Sequence, residues 1–216
     1  MPELPEVEVV RRDLAPIITG RRIRAVTATN PRVVRRSGDP MVFAAEVAGR
    51  RVVSVDRLGK NLLVLLDDGA TLVVHLGMSG QLLHESRPRS APVRKHTHVV
   101  FTVAGAGEVR YVDPRTFGEL FVVPPGATPL DHLGPDALDN LPVDRFGALL
   151  AGRRVQLKAL LMDQRAIAGL GNIYSDEALF AAGLRWTRSS ASLSRAQAGA
   201  LHAAITSILT AAVAAG

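Results

Sequence analysis

Along the first 123 residues the apolar positions come in short runs, and beyond residue 130 they recur at helical spacing. Runs rich in Val, Ile and Leu at 22–29, 51–55, 61–66 and 71–76 predict strands, with Asp67-Asp68-Gly69 as a hairpin turn between the last two. Further runs at 98–103, 109–112 and 119–123 continue the pattern, and Gly105-Ala106-Gly107 reads as a turn. Short strands at such regular spacing predict an antiparallel sandwich or a small barrel. One helical exception covers 6–14 and is expected to break at Pro16. The stretch Val123-Pro124-Pro125-Gly126-Ala127-Thr128-Pro129 reads as a linker. After it, helices are predicted over 144–151, 155–162, 172–182 and 194–214. Asn172 is the expected N-cap of the third. Leu201, Ile205, Ile208, Leu209 and Val213 form one stripe of the fourth. The expectation is an α+β chain: a β domain over 1–123, a linker over 124–130 and a helical domain over 131–216. The polar loop 87–94 is expected to be mobile.

Composition narrows the function classes. At 216 residues and 47% hydrophobic content, the chain holds one large domain or two small ones with ample core. No run is expected to reach the ~20 apolar residues of a membrane span. There is no cysteine, hence no disulfide and no thiolate metal site, which fits a reducing cytoplasm. The net charge of +6 points to a polyanionic partner, most simply nucleic acid. Of the 26 basic residues only Lys60, Lys95 and Lys158 are lysines, a bias that genomic base composition could also produce. A lysine that persists in such a chain raises the case for a required amine.

Five segments invite a chemical reading. Met1-Pro2-Glu3-Leu4-Pro5-Glu6-Val7-Glu8 is a poor signal peptide, since acids stand where a positive region belongs. Removal of Met1 before the small Pro2 would leave a secondary amine, a candidate nucleophile whose iminium is a strong electron sink. The ordinary alternative is a frayed tail. Leu58-Gly59-Lys60-Asn61 places Lys60 at the entry of a strand, either as a solvated edge residue or as a general acid or base. Two sharp turns follow strands: His75-Leu76-Gly77-Met78-Ser79-Gly80, and Tyr111-Val112-Asp113-Pro114-Arg115-Thr116-Phe117-Gly118. Met78, Arg115 and Phe117 at their tips could enter a base stack, or Met78 and Phe117 could be core. Asp113 could cap its turn or pair with Arg115. Ala168-Gly169-Leu170-Gly171-Asn172 runs into a helix start, either a phosphate site or a tight turn. His96, in Arg94-Lys95-His96, suits a phosphate contact or a solvated loop. No spacing of the six histidines indicates a metal site.

Together these segments resemble the formamidopyrimidine-DNA glycosylase and endonuclease VIII family of base-excision repair enzymes. The resemblance rests on Pro2 to Glu8, Gly59-Lys60, His75 to Gly80, Lys95-His96-Thr97-His98, Asp113 to Gly118, Leu133-Gly134-Pro135, and Leu161-Met162-Asp163 through Asn172-Ile173-Tyr174, in the family order. Leu4 and the Asp-Pro-Arg-x-Phe-Gly run look like the formamidopyrimidine (8-oxoguanine) branch. The resemblance implies a β-sandwich joined to a helix–two-turns–helix module, with damaged double-stranded DNA bound in the cleft between. It implies Pro2 as the nucleophile at the sugar C1′, Glu3 as the group that moves protons at the sugar, and Lys60 as proton donor for β-elimination. It implies Met78, Arg115 and Phe117 as fillers of the gap left by a flipped base, and His96, Arg115, Arg153 and Asn172 as contacts to the bent backbone. A cytoplasmic, nucleoid-associated monomer with no membrane partner is the corresponding expectation.

The family normally continues into a lesion-capping loop and a four-cysteine zinc finger. This chain ends at Gly216 without a cysteine, so no zinc site and no other cofactor are expected in it. A truncated fragment, a natural short paralogue and a gene-model error are the competing explanations. The expected activity is a weakened glycosylase and lyase with its chemistry intact. The alternative is a catalytically silent protein that binds damaged DNA, and the presence of Pro2, Glu3 and Lys60 argues against it.

Overall fold

The computed structural model describes residues 2–88 and 91–216. The expectations about Met1 processing, and about the loop 87–94 at Arg89 and Ser90, therefore lie outside the described residues. The chain divides into two compact units: 1–2 with 7–129, and 3–6 with 130–216.

The first unit is two four-stranded antiparallel sheets. One contains β1 (Ile23–Ala28), β5 (Gln81–Glu85), β6 (Thr97–Val103) and β7 (Gly107–Val112), in the order β1-β6-β7-β5. The other contains β2 (Val52–Leu58), β3 (Asn61–Leu66), β4 (Thr71–His75) and β8 (Glu119–Val123), in the order β2-β3-β4-β8. Alternate residues such as Leu62, Val64 and Leu66 of β3 and Val99, Phe101 and Val103 of β6 meet in one core. Phe43 and Phe101 pack edge to face there, with ring centroids 6.4 Å apart. The fold is the α+β arrangement with a β-sandwich expected from the sequence.

Three local expectations change. α1 (Leu4–Ile18) extends past both ends of the predicted 6–14 and runs through Pro16. Pro5 lies in its first turn, where a missing N–H costs no bond, whereas Pro16 lies in its last turn and forgoes one helical hydrogen bond. The buried Val7, Leu14 and Ile18 hold the helix on the core in spite of both prolines. A 3-10 turn (Pro31–Val34) and α2 (Pro40–Val47) were not expected, although Asn30 and Asp39 cap them just before a proline. β5 also went unread, because Gln81–Glu85 is a half-exposed edge strand paired only with β7 and has no apolar run.

The second unit is helical: α3 (Val143–Ala151), α4 (Leu157–Met162), α5 (Asn172–Ala181) and α6 (Arg195–Ala215). Leu150, Leu157, Leu160, Leu161, Leu179, Leu201, Ile205 and Leu209 form its core, together with Leu4. Ser194 and Gln197 close a capping box at the start of α6. At 21 residues and a mean hydropathy of 1.6, α6 is long and apolar enough to cross a membrane by length and composition, contrary to the expectation above. Its alanines raise the hydropathy, while its Leu201, Ile205, Leu209 and Val213 stripe packs into this core.

Glu8 braces α1 within the first unit. Its carboxylate takes Arg11 at 2.8 Å, Arg12 at 2.9 Å and Arg57 at 3.2 Å, and the Arg57 side chain is only 2% exposed. Burial alone would push the Glu8 carboxyl up, but hydrogen bonds and charge from Arg11, Arg12 and Arg57 prevail and lower it to about 2. Its stabilising contribution is therefore complete above the ordinary value of 4.5 and is lost as pH falls toward 2. Glu8→Gln should cost about 3 kcal/mol at neutral pH by removing the negative charge that faces the buried Arg57 guanidinium. Thermal melting across pH checks this, and the variant should lack the part of the wild-type decline between pH 4.5 and 2 that Glu8 contributes.

Candidate functional site

The chain terminus is pinned through Glu3. Its side chain is fully buried in the second unit, where Oε2 accepts from the Gly171 N–H at 2.6 Å and Oε1 from the Ile173 N–H at 2.9 Å. These are first-turn donors of α5, which has no side-chain cap of its own. Two expectations are corrected here. The N-cap is Gly171, not Asn172, which is the first helical residue and is exposed. The Gly-rich turn does not offer these N–H groups to a phosphate, because a protein carboxylate already occupies them. Glycine is required for closeness: a Cβ on Gly171 would collide with the Glu3 carboxyl, and one on Gly169 would stand 2.5 Å from Leu4 Cδ1. Gln164 holds the turn from the other side, accepting from Gly169 N at 3.0 Å and donating to Leu170 O at 2.7 Å.

The backbone of Glu3 is fixed as well. Its N–H donates to Glu6 Oε2 at 2.8 Å, half of a capping box at the start of α1. Tyr174 donates its hydroxyl to Glu6 Oε1 at 2.6 Å, and burial followed by this bond raises the Tyr174 pKa. A frayed tail would show none of this. Pro2 is the residue covalently attached to this anchor.

Lys60 sits at the tip of the β2–β3 hairpin, closed by the Leu58–Asn61 pair. Gly59 takes the left-handed conformation there, with φ 58°. Arg57, already held by Glu8, donates to Gly59 O at 3.0 Å. Lys60 is half-buried rather than a fully solvated edge residue.

Met78, Arg115, Phe117 and His96 are organised by one residue. Asp113 is fully buried and accepts from Ser79 Oγ at 2.5 Å, Gly118 N at 2.9 Å, Tyr111 Oη at 3.0 Å and Arg115 N at 3.2 Å. Its carboxylate caps its own turn rather than pairing with the Arg115 guanidinium, and it ties that turn to the Met78 turn through Ser79. Burial pushes its pKa up, yet the hydrogen bonds from Ser79, Gly118, Tyr111 and Arg115 together bring it below the usual value. The Asp113 backbone continues the grip, with N–H to His96 O at 3.0 Å and its carbonyl on His98 Nε2 at 2.9 Å. His96 and Thr116 hold left-handed φ of 66° and 53°, a strain that such a bonded frame can carry.

The side chains at the tips face outward. Met78 is 41% and Phe117 44% exposed, which rules out the reading of either as core. The Arg115 guanidinium lies 4.8 Å from the Phe117 ring centroid, a cation–π contact. Their large exposed surfaces sit on turns whose backbones touch, since a Cβ on Gly77 would stand 2.5 Å from Gly118 N. In the second unit, Arg153 pairs with Asp163 at 2.8 Å and stays 40% exposed. Among the described residues no group of three or more His, Asp or Glu could hold a metal ion.

Sequence reasoning missed Tyr111, Ser79, Gln164, Glu6 and Tyr174 as supports. Ser79 and Tyr174 have partners 34 and 168 residues away, which no local pattern announces, whereas the spacing of Glu3 and Glu6 is that of a capping box and was the one local signal. Two substitutions check the geometry. Asp113→Asn offers one acceptor oxygen in place of two and should lower stability by about 2 kcal/mol, read by thermal melting. Gly171→Ala should displace the Glu3 carboxyl and lower stability by about 2 kcal/mol, with loss of amide-exchange protection at Ile173 as its local sign.

Residues 1–120 match the formamidopyrimidine-DNA glycosylase N-terminal domain, and residues 133–216 match the formamidopyrimidine-DNA glycosylase H2TH domain. A formamidopyrimidine-DNA glycosylase of Moorella thermoacetica is 43% identical over 97% of this chain and 77% of its own length. One of Nocardia farcinica is 40% identical over 100% of this chain and 79% of its own. Among solved structures, the MutM (Fpg) protein of Thermus thermophilus superposes with a TM-score of 0.86 at 39% identity, covering 99% of this chain and 76% of that one. A Lactococcus lactis Fpg mutant in complex with a Fapy-dG containing DNA gives a TM-score of 0.87 at 31% identity, covering 99% of this chain and 79% of that one.

Proposed function

The chain belongs to the formamidopyrimidine-DNA glycosylase family, and from that premise we propose that it removes oxidised purines from double-stranded DNA and then cuts the strand. The observation that carries this reading is the anchored terminus: Glu3, bonded to Pro2, is buried and held by two backbone N–H groups and by Glu6. A terminal amine fixed in this way is preorganised as a nucleophile.

The target nucleotide has to leave the stack, because its C1′ is inaccessible within the duplex. Met78, Arg115 and Phe117 fill the space it leaves, and the phosphates are held by His96, Arg115, Arg153 and Asn172. The Pro2 amine attacks C1′, the glycosidic bond breaks, and the base leaves with its electron pair and a proton. Glu3 moves a proton to O4′ as the C1′–O4′ bond breaks, which opens the sugar and leaves Pro2 as the iminium. The resulting iminium draws electrons from C2′, whose proton is lost, and the C3′–O bond breaks to release the 3′ strand. Lys60 supplies protons to this elimination. Water then hydrolyses the iminium and frees Pro2. Every step uses protein groups alone, and no cofactor enters. A zinc finger of the kind the resemblance implies needs thiolates that these 216 residues do not contain, and no step is routed through zinc. We further propose action as a monomer in the cytoplasm, at the nucleoid.

Borohydride reduction during incubation with abasic-site duplex tests the reading. A covalent protein–DNA adduct should form, with an intact mass that lacks Met1. Pro2→Gln, on which Met1 is retained and the amine is displaced, should form none. Absence of an adduct from folded protein that binds the same duplex would overturn the enzymatic reading in favour of the silent DNA-binding one.

A further inference from the structure

Two segments of the second unit lie side by side. Residues 153–158 run into α4, and residues 185–190 follow α5. They meet antiparallel at a Gln156–Ser189 bridge. Backbone bonds tie them along their length: Leu157 N–H to Arg188 O at 2.9 Å, Lys158 N–H to Trp186 O at 3.2 Å, and Ser190 N–H to Val155 O at 2.8 Å. The result is a short two-stranded strip with a fixed backbone.

Its charge is of one sign. Arg153, Arg154, Lys158, Arg185 and Arg188 are its charged residues, and the two segments contain no acid. Asp163 answers Arg153 and Asp176 answers Lys158. Arg188 is held by neutral acceptors, Ser192 Oγ at 3.1 Å and Ser192 O and Gln197 Oε1 at 2.9 Å, so its charge stays uncompensated. Arg154 and Arg185 are exposed, and among the described residues their side chains make no hydrogen bond or ion pair. Trp186, the only tryptophan of the chain, stands beside Arg185 with 55% of its surface exposed. Among the described residues it makes no ring–ring contact, and no cation lies over its face.

An indole is the largest apolar surface a side chain offers, and here it is left open on a rigid backbone. Within the strip Val155 is the one other exposed apolar side chain, while Gln156, Thr187 and Ser189 are exposed and polar. A single indole on polar ground is neither the apolar face that enters a bilayer nor the core of a protein interface. An open aromatic face among cations is the combination that holds single strands, with a base on the ring and phosphates on the charges. Bases inside a duplex have both faces covered by their neighbours, so only an unpaired base can stack on the indole. We propose that this strip is a second nucleic-acid contact that takes single-stranded DNA. Trp186 stacks on one unpaired base, Arg154 and Arg185 meet phosphates, and Arg188 adds to the field. The glycosylase reading assigns no role to any of these four residues and does not depend on this site.

Trp186 is its own probe, because all tryptophan emission comes from it. An oligothymidylate of about twelve nucleotides, within the site sizes of single-strand binders, should quench that emission to saturation. A base-free strand of equal length and charge should bind about fivefold or more weakly. With labelled oligothymidylate read by anisotropy, Trp186→Ala should weaken binding about fivefold to a hundredfold, the effect of losing one base–aromatic stack. Trp186→Phe should keep most of the affinity. Arg185→Ala should lower the logarithmic salt slope by about 0.7, the share of one phosphate contact on a single strand. Trp186→Ala should still form the borohydride adduct with abasic-site duplex, so failure here leaves the glycosylase reading standing. Unquenched emission at saturating strand, equal affinity for the base-free strand, or wild-type affinity in Trp186→Ala overturns the proposal. A response to anionic phospholipid vesicles without one to oligothymidylate overturns it in favour of a lipid surface. If Trp186→Ala fails to melt cooperatively, quenching and the base-free comparison decide, since both use the unaltered protein.

Discussion

A carboxylate removed from water persists only where protein donors replace the water it has lost. Each unit is organised around one such group. In the second unit Glu3 takes two first-turn N–H groups of α5. In the first unit Asp113 takes four donors from its own turn, from Tyr111 and from Ser79. The donors to Glu3 are both backbone groups and those to Asp113 are two backbone groups and two hydroxyls, so satisfying each charge fixes a turn. The positions of Asn172, Met78, Arg115 and Phe117 follow from two buried acids that carry no exposed surface themselves. Glycine at 171, 77 and 118 is a consequence of the same constraint, since a Cβ at any of them would strike a neighbouring group.

This constraint also separates what the sequence disclosed from what it did not. Strands that are short continuous apolar runs, such as β3 and β4, declared themselves by composition. β5 did not, because an edge strand with both faces half-wet has no such apolar run. The linker-like stretch 123–129 was plain from its prolines, yet nothing local indicates that Glu3–Glu6 belong with the helical unit. Asn172 is a good N-cap by residue type, and it loses that place because a carboxylate 168 residues away does the capping at Gly171. Chemistry was more legible than support. The candidate residues stood out by type and order, whereas Tyr111, Gln164 and Glu6 are ordinary residues until their partners are known.

The arginine content is partly structural. The net charge of +6 suggests a surface field for a polyanion, but several guanidinium groups are taken up internally. Arg57 is held by Glu8, and Arg35 and Arg36 are held by Glu119. Arg110, only 5% exposed, binds Glu108 and the carbonyls of Pro92 and Ala91. A planar fork of five donors satisfies an acid and two carbonyls at once from nitrogens held in fixed directions, a geometry that the point charge of a lysine lacks. Arginine bias therefore carries two meanings in this chain: some guanidinium groups are spent inside the fold, while others, such as Arg115 and Arg153, remain exposed beside their partners.

The same reasoning gives the lysine its meaning. Arginine holds its proton throughout the accessible pH range, so a site that must give one up needs another amine. Lys60 stands at a hairpin tip whose adjoining residues are all held: Gly59 by Arg57, and Asn61 by Leu58 and His75. Flexible side chains lose rotamer freedom when they are used, and that loss is smaller where the backbone beneath them is already fixed. A terminus tied down at its third residue and a lysine on a braced hairpin are two forms of one arrangement, in which the ordering has been completed before any substrate arrives.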